Sequence, residues 1–208
     1  MTAHPIEQES YRILAERLAL SGLAPLSRAV VARVVHATAD VTLAESLVLD
    51  EAQLRSGVAM LSNGAPVVAD VTMVAAGITD RDAHCFLCRI PRSGEGDASE
   101  AAGAAVPATR SARAMRLAAA AHPVGAVFVI GCAPTALAEL ISLSGAGELD
   151  PGLVIALPVG FVGAAESKAA LRASGLPAIT NVGERGGSAA AAAACNALIR
   201  AATETCHA

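Results

Sequence analysis

From Pro66 onward the chain alternates short apolar runs with longer segments of helical period, and this alternation limits its possible folds more than any other feature. Runs near residues 66–70, 84–90, 125–130, 153–157 and 178–181 read as strands apolar on both faces. The segments 109–121, 134–143, 164–173 and 187 to about 202 read as helices. Strands buried on both faces and separated by helices describe a parallel sheet sandwiched between helical layers. The expected fold is therefore α/β: a Rossmann-like parallel sheet covered by helices on both faces. Before Pro66 the period is helical at residues 10–20 and 26–40, and Asp50-Glu51 caps a third helix that ends at Asn63-Gly64. These are extra N-terminal helices added to the sheet. No internal repeat divides the sequence, so one domain over residues 1–208 is expected. The connection 91–107, rich in Gly, Ser and Ala, is a lid, a linker or a plain loop.

Composition narrows the function classes. The chain is 54% apolar but only 2% aromatic, with no Trp and one Tyr, so its core rests on Ala, Val and Leu. A net charge of -4 supplies no global field for nucleic acid or an anionic membrane, and neither is expected as a partner. Residues 117–138 carry no formal charge, yet His122-Pro123, Gly125, Gly131 and Pro134 break them into helix end, turn, strand and loop. Glu7, Glu9, Arg12, Glu16 and Arg17 interrupt any apolar leader, and five cysteines make an odd set. A cytoplasmic protein in a reducing compartment is expected.

Three strand ends carry glycine-rich loops, at residues 131–135, 158–168 and 183–188, where an open α/β sheet binds its ligands. Each delivers a helix N-terminus suited to a carboxylate or phosphate, though tight packing of strand on helix explains any one alone more often than not. None matches a dinucleotide fingerprint or a P-loop. At about 100° per residue, Val30, Val31, Val34 and Val35 form one helical stripe, and Arg33, His36 and Asp40 fall on the opposite side. His36 is thus off the core, either a plain surface residue or a proton-exchanging group if that face lines a cleft. Thr109-Arg110-Ser111 opens a helix, and an Arg in the first turn is misplaced unless an anion shares the site. Cys85 and Cys88 would point to opposite faces of a strand, which argues against a metal or disulfide. Cys132 invites a nucleophile reading, as in a cysteine-dependent hydrolase, but it lacks the flanking glycine of a nucleophile elbow.

Several motifs occur in a fixed order: Val35-His36-Ala37, Gly64-Ala65-Pro66 with Asp70 and Met73, Thr109-Arg110-Ser111-Ala112, and Gly131-Cys132-Ala133-Pro134-Thr135-Ala136-Leu137. Pro158-Val159-Gly160-Phe161-Val162-Gly163-Ala164-Ala165-Glu166-Ser167-Lys168 and Gly186-Gly187-Ser188 follow. Over residues 6–198 the series resembles the precorrin-8X methylmutase family of cobalamin biosynthesis. The resemblance implies a homodimer without metal or nucleotide cofactor. It also implies a tetrapyrrole substrate, precorrin-8X or its cobalt form, whose methyl group moves from C11 to C12 to give hydrogenobyrinate or cobyrinate. By the same resemblance His36 is the proton donor and acceptor. Ser10, Arg110 and Ser111 contact the substrate, and Asp70, Met73 and Thr79 lie near it. Cys132, Glu184 and Ala15 depart from the commoner pattern. A methyl shift across a conjugated ring needs no nucleophile or redox group, only a correctly tautomerised macrocycle and a group to protonate it. The rival to catalysis is a corrinoid carrier, which has no use for a titratable group beside the ring.

Overall fold

The computed structural model describes residues 4–91 and 108–206, so the connection 91–107 lies outside the described residues except for Pro91. Its strands are β1 (Leu47–Val48), β2 (Val67–Ala69), β3 (Ala83–Cys85), β4 (Val127–Ile130), β5 (Leu153–Ala156) and β6 (Ala178–Asn181). They form one sheet in the order β1-β6-β5-β4-β2-β3. Every pairing from β3 across to β6 is parallel, as expected for apolar strands linked by helices. The edge differs: β1 runs antiparallel to β6, with Leu47 opposite Asn181 and Val48 opposite Thr180.

The helices are α1 (Pro5–Arg17), α2 (Pro25–Thr38), α3 (Thr42–Ser46), α4 (Glu51–Ser62), α5 (Thr72–Gly77), α6 (Arg110–Ala121), α7 (Pro134–Gly145), α8 (Ala164–Ser174) and α9 (Ser188–Cys206). Among the described residues no helix is long and apolar enough to cross a membrane. Helix α1 starts five residues before the expected position. Pro5 stands at its first turn and the His4 ring accepts from the Ile6 N–H at 3.3 Å. It also ends earlier, at Arg17, and a 3-10 turn follows at Leu20–Gly22.

Alternate strand residues serve two cores. Val67, Val127, Val129, Leu153 and Ile155 join residues of α2, α4 and α9, while Val68, Phe128, Ile130, Val154 and Ala156 join α6, α7 and α8. Helix α9 packs on β4 and β5 and also on α2, α4 and α5. It is consequently buried nearly all round, with Ala190, Ala191, Ala194, Cys195 and Leu198 all at 0% exposure. Small side chains set this spacing: a Cβ on Gly131 would lie 2.9 Å from the Ala191 Cβ, and one on Gly77 2.9 Å from the Ala192 Cβ.

The expected strand at 84–90 is corrected to three residues. Phe86 turns into helical backbone (φ -92°, ψ -6°), and a 3-10 turn at Leu87–Arg89 follows. Arg110 reaches from α6 to hold that turn, donating from Nε to the Ile90 carbonyl and from Nη2 to the Leu87 carbonyl, each at 2.8 Å. Cys88 therefore sits on a turn, its Sγ donating to the Cys85 carbonyl at 3.6 Å, and the opposite-face argument for the two thiols does not apply. Among the described residues no group of three His, Cys, Asp or Glu is placed to hold a metal ion.

Overpacking the buried helix tests this architecture. Ala191→Leu is expected to destabilise the fold by about 1–3 kcal/mol. Differential scanning calorimetry should register a fall in Tm of about 2–12 °C, since about 2–4 °C accompanies each kcal/mol at this chain length. An unchanged Tm would show spare room around α9.

Candidate active site at the α1–α2 seam and the strand ends

The valines of α2 divide, Val30 and Val34 joining the core around α9 and Val31 and Val35 packing on Leu14 of α1, and the two helices α1 and α2 build a cradle around His36. The Ser10 hydroxyl lies 3.0 Å from His36 Nδ1, and the Tyr11 ring stacks on the imidazole with centroids 4.6 Å apart and planes 9° apart. One turn earlier on α2, Arg33 Nη1 donates to the Tyr11 hydroxyl and to Glu7 Oε1, both at 3.3 Å. His36 is half-buried, so it is shielded on one side yet reachable. Helix α2 starts without a side-chain cap of its own. Glu51 of α4 supplies one, accepting from the N–H groups of Leu26 at 3.0 Å and Ser27 at 2.9 Å and from the Ser27 hydroxyl at 2.7 Å.

The far end of α2 reaches the carboxyl edge of the sheet. Asp40 pairs with Arg185 at 2.8 Å, and Arg185 also donates to Thr42. The Thr42 hydroxyl, then its N–H and the Arg185 guanidinium, hold the Asp40 carboxyl below its usual range. Beneath this loop Lys168 is fully buried, donating to Asn181 Oδ1 at 2.9 Å and to the Arg185 carbonyl at 2.6 Å. Burial, with repulsion from Arg172, pushes its pKa down to about 8. Asn181 adds a bond from Nδ2 to the Arg185 carbonyl at 2.9 Å, so two side chains brace one loop carbonyl. The glycines divide by role. A Cβ on Gly186 would run into the Leu157 carbonyl oxygen, whereas Gly187 (φ +128°) has open space where its Cβ would be. Tight packing explains the first, while the backbone of the second is engaged within the protein, its N–H donating to the Leu157 carbonyl at 2.8 Å and its carbonyl accepting from the Ala191 N–H at 3.0 Å.

At the end of β2 the buried Asp70 carboxylate accepts three backbone N–H groups, from Gly131 at 3.2 Å and from Cys132 and Ala133 at 2.9 Å each. Burial raises its pKa, and the three donors pull it back. Asp70 thus shapes the loop that leads into α7. Desolvation and the nearby Asp70 charge push the Cys132 thiol upward, away from a reactive thiolate. Met73 stands 72% exposed on the first turn of α5. Thr79 lies beyond the other end of that helix, its N–H held by Asn196 Oδ1 at 2.9 Å. On the opposite face of the sheet, Arg110 and Ser111 occupy the first turn of α6, where the Thr109 hydroxyl caps the Ala112 N–H at 3.2 Å. The Arg110 guanidinium, expected to await an anion, already holds two carbonyls of the 3-10 turn.

The structure therefore joins Ser10 to His36 directly, sets Asp70 and Met73 at one strand end, and places Arg110 and Ser111 in the other layer. Tyr11 was not among the sequence-expected residues. It is the chain's only Tyr and the neighbour of Ser10, but its contact is made across two helices. Apolar side chains crowd the same edge: Phe161 is 91% exposed and Val162 88%.

The buried lysine generates a pH test. Its ammonium is disfavoured in the folded chain relative to the unfolded one, so its contribution to stability grows as pH rises from about 8 towards the ordinary lysine value of 10.5. Urea titrations at stepped pH should show a gain over this window that Lys168→Met lacks. Parallel curves for the two proteins would contradict it.

Similarity to known proteins agrees with this geometry. The family model described as precorrin-8X methylmutase matches residues 5–201. The cobalt-precorrin-8 methylmutase of Priestia megaterium is 39% identical over 95% of this chain and 88% of its own length. The precorrin-8X methylmutase of Pseudomonas aeruginosa is 38% identical over 93% of each. The crystal structure of precorrin-8X methylmutase from Thermus thermophilus superposes with a TM-score of 0.80 at 30% identity, covering 97% of this chain and 99% of that one. With a family match across nearly its whole length, the chain belongs to the precorrin-8X methylmutase family of isomerases.

Proposed function

We propose that the chain moves a methyl group from C11 to C12 of precorrin-8X or cobalt-precorrin-8, giving hydrogenobyrinate or cobyrinate, with His36 donating and accepting the proton. The observation that carries this reading is the cradle of His36 between Ser10 at 3.0 Å and the Tyr11 ring. A hydroxyl both donates and accepts, so Ser10 keeps its bond to Nδ1 whether or not that nitrogen carries hydrogen. The imidazole can then change protonation state without losing its partner, and Nε2 is left for exchange with the macrocycle. The migrating methyl group breaks its bond to C11 and forms one to C12, and ring electrons shift to compensate. No nucleophile is required for that step.

The strand-end edge suits a flat, carboxylate-rimmed ring. Exposed Met73, Phe161 and Val162 offer apolar contact to its faces, and the N-terminus of α9 offers N–H groups to its acetate and propionate side chains. Ser10, Arg110, Ser111 and Thr79 are assigned to the same substrate, with Asp70 holding the 131–133 loop in place for it. Because His36 and Arg110 occupy layers on opposite faces of the sheet, a ligand meeting both sets of groups must span the edge. We assign the working form as a cytoplasmic homodimer whose subunits share this site, without metal or nucleotide cofactor.

The test is visible absorption spectroscopy of wild type and His36→Ala mixed with precorrin-8X, and separately with its cobalt form. Wild type should convert one or both to the product spectrum. The variant should bind within about tenfold of wild-type affinity, with turnover down by about 10² or more. A fully active variant would refute the role of His36, and binding without conversion by wild type would make the chain a carrier. Sedimentation analysis alongside the assay should find turnover in the dimer; a stable monomer with full activity removes the shared site.

A further inference from the structure

We propose that Tyr11 is a positioning residue for His36, an inference that rests on the proton-transfer role given to His36 above. Two degrees of freedom govern where an imidazole on a helix aims its exchanging nitrogen: rotation within the ring plane and the tilt of that plane. Ser10, at 3.0 Å from Nδ1, fixes the first. Only a flat surface fixes the second, and the Tyr11 ring provides it, 4.6 Å away and within 9° of parallel. Arg33 clamps that ring from its far end through the hydroxyl, and Glu7 holds Arg33 in turn, each contact at 3.3 Å.

The arrangement is not required by the core. Helix α1 buries one side chain fully, Leu14, which packs with Val31 and Val35 of α2. That cluster attaches α1 without help from Tyr11, which is itself only half-buried. Chemistry gives the stack a direction as well as a geometry. The face of a phenol ring is electron-rich, so it interacts more favourably with an imidazolium than with a neutral imidazole. Tyr11 therefore holds His36 in plane and stabilises it during the interval in which it carries the extra proton. A gain of one such interaction in the proton-bearing state only is a contribution to turnover rather than to substrate binding.

Three variants separate this role from simple attachment of α1. Tyr11→Phe keeps the ring face and should retain kcat within about threefold, whereas Tyr11→Leu removes it and should lower kcat about tenfold or more with KM within about threefold. Leu14→Ala loosens the same helix without touching the ring, and it should leave kcat within about threefold. The second readout is NMR of the His36 ring protons. The Tyr11 ring current should shift them upfield in wild type and Tyr11→Phe, and the shift should vanish in Tyr11→Leu. Wild-type kcat in Tyr11→Leu overturns the proposal, as does an equal loss in Leu14→Ala or a set of His36 resonances indifferent to Tyr11→Leu. His36→Ala in the same assay distinguishes the failures. If it is inactive while Tyr11→Leu is fully active, this inference alone falls; if it is active, the reading on which it rests falls.

Discussion

A helix buried along most of its surface is the constraint on which the remainder of this structure depends. Because α9 lies between the sheet and α2, it needs an apolar surface on most of its sides, and where it meets Gly131 and Gly77 the space suits small side chains. The run of alanines from Ala190 to Ala194 meets both demands. Alanine adds strong helix propensity, which lets the helix form without large side chains to anchor it. The consequence for the site is indirect but decisive. With α9 filling the inner position, α2 becomes an outer helix, applying Val30 and Val34 to the core around α9 and turning Val31 and Val35 to Leu14 of α1. His36 is on the side that meets α1 because the inner position is already taken.

A second set of constraints holds the strand ends. Parallel strands deliver their loops to one edge, and short loops there leave backbone groups that need partners within the protein. Buried polar side chains supply them: Asp70 for three N–H groups of one loop, Lys168 and Asn181 for a carbonyl of another. A buried carboxylate or ammonium is costly in isolation, and leaving a buried donor or acceptor unmet costs about 1–3 kcal/mol. Each group is tolerable because the other is present. The Pro158–Lys168 run reads accordingly: its glycines and apolar residues form the exposed loop, and its terminal Lys168 is a strut under the neighbouring one.

What the sequence made legible follows from how local each determinant is. The central strands were readable because burial on both faces requires a continuous apolar run, and the helical face of His36 was readable because 100° per residue is a property of one helix alone. The edge strand β1 was not, since two residues paired antiparallel to β6 carry no period of their own. The strand expected over 84–90 failed for a related reason. Its backbone turns at Phe86, and a guanidinium from residue 110 holds the turn, a contact no local pattern reports. Arg110 itself shows how one observation admits two causes. A cation in a first helical turn does signal a nearby acceptor, and within the chain that acceptor is a pair of carbonyl oxygens.

The placement of the candidate groups bears on what kind of ligand the fold can serve. A site for a small anion needs only one helix N-terminus and a few side chains within a single loop. Here the His36 cradle belongs to one helical layer, Arg110 and Ser111 to the other, and the strand-end loops lie along the edge between them. Only a molecule broad enough to cross that edge can draw on all three, and its middle must tolerate apolar contact from side chains such as Phe161 and Val162. A macrocycle with charged side chains at its rim meets both conditions. The chemistry asked of the protein is correspondingly small. Broad contact fixes the ring, the ring's own conjugation carries the methyl group, and one well-oriented imidazole suffices to move the proton.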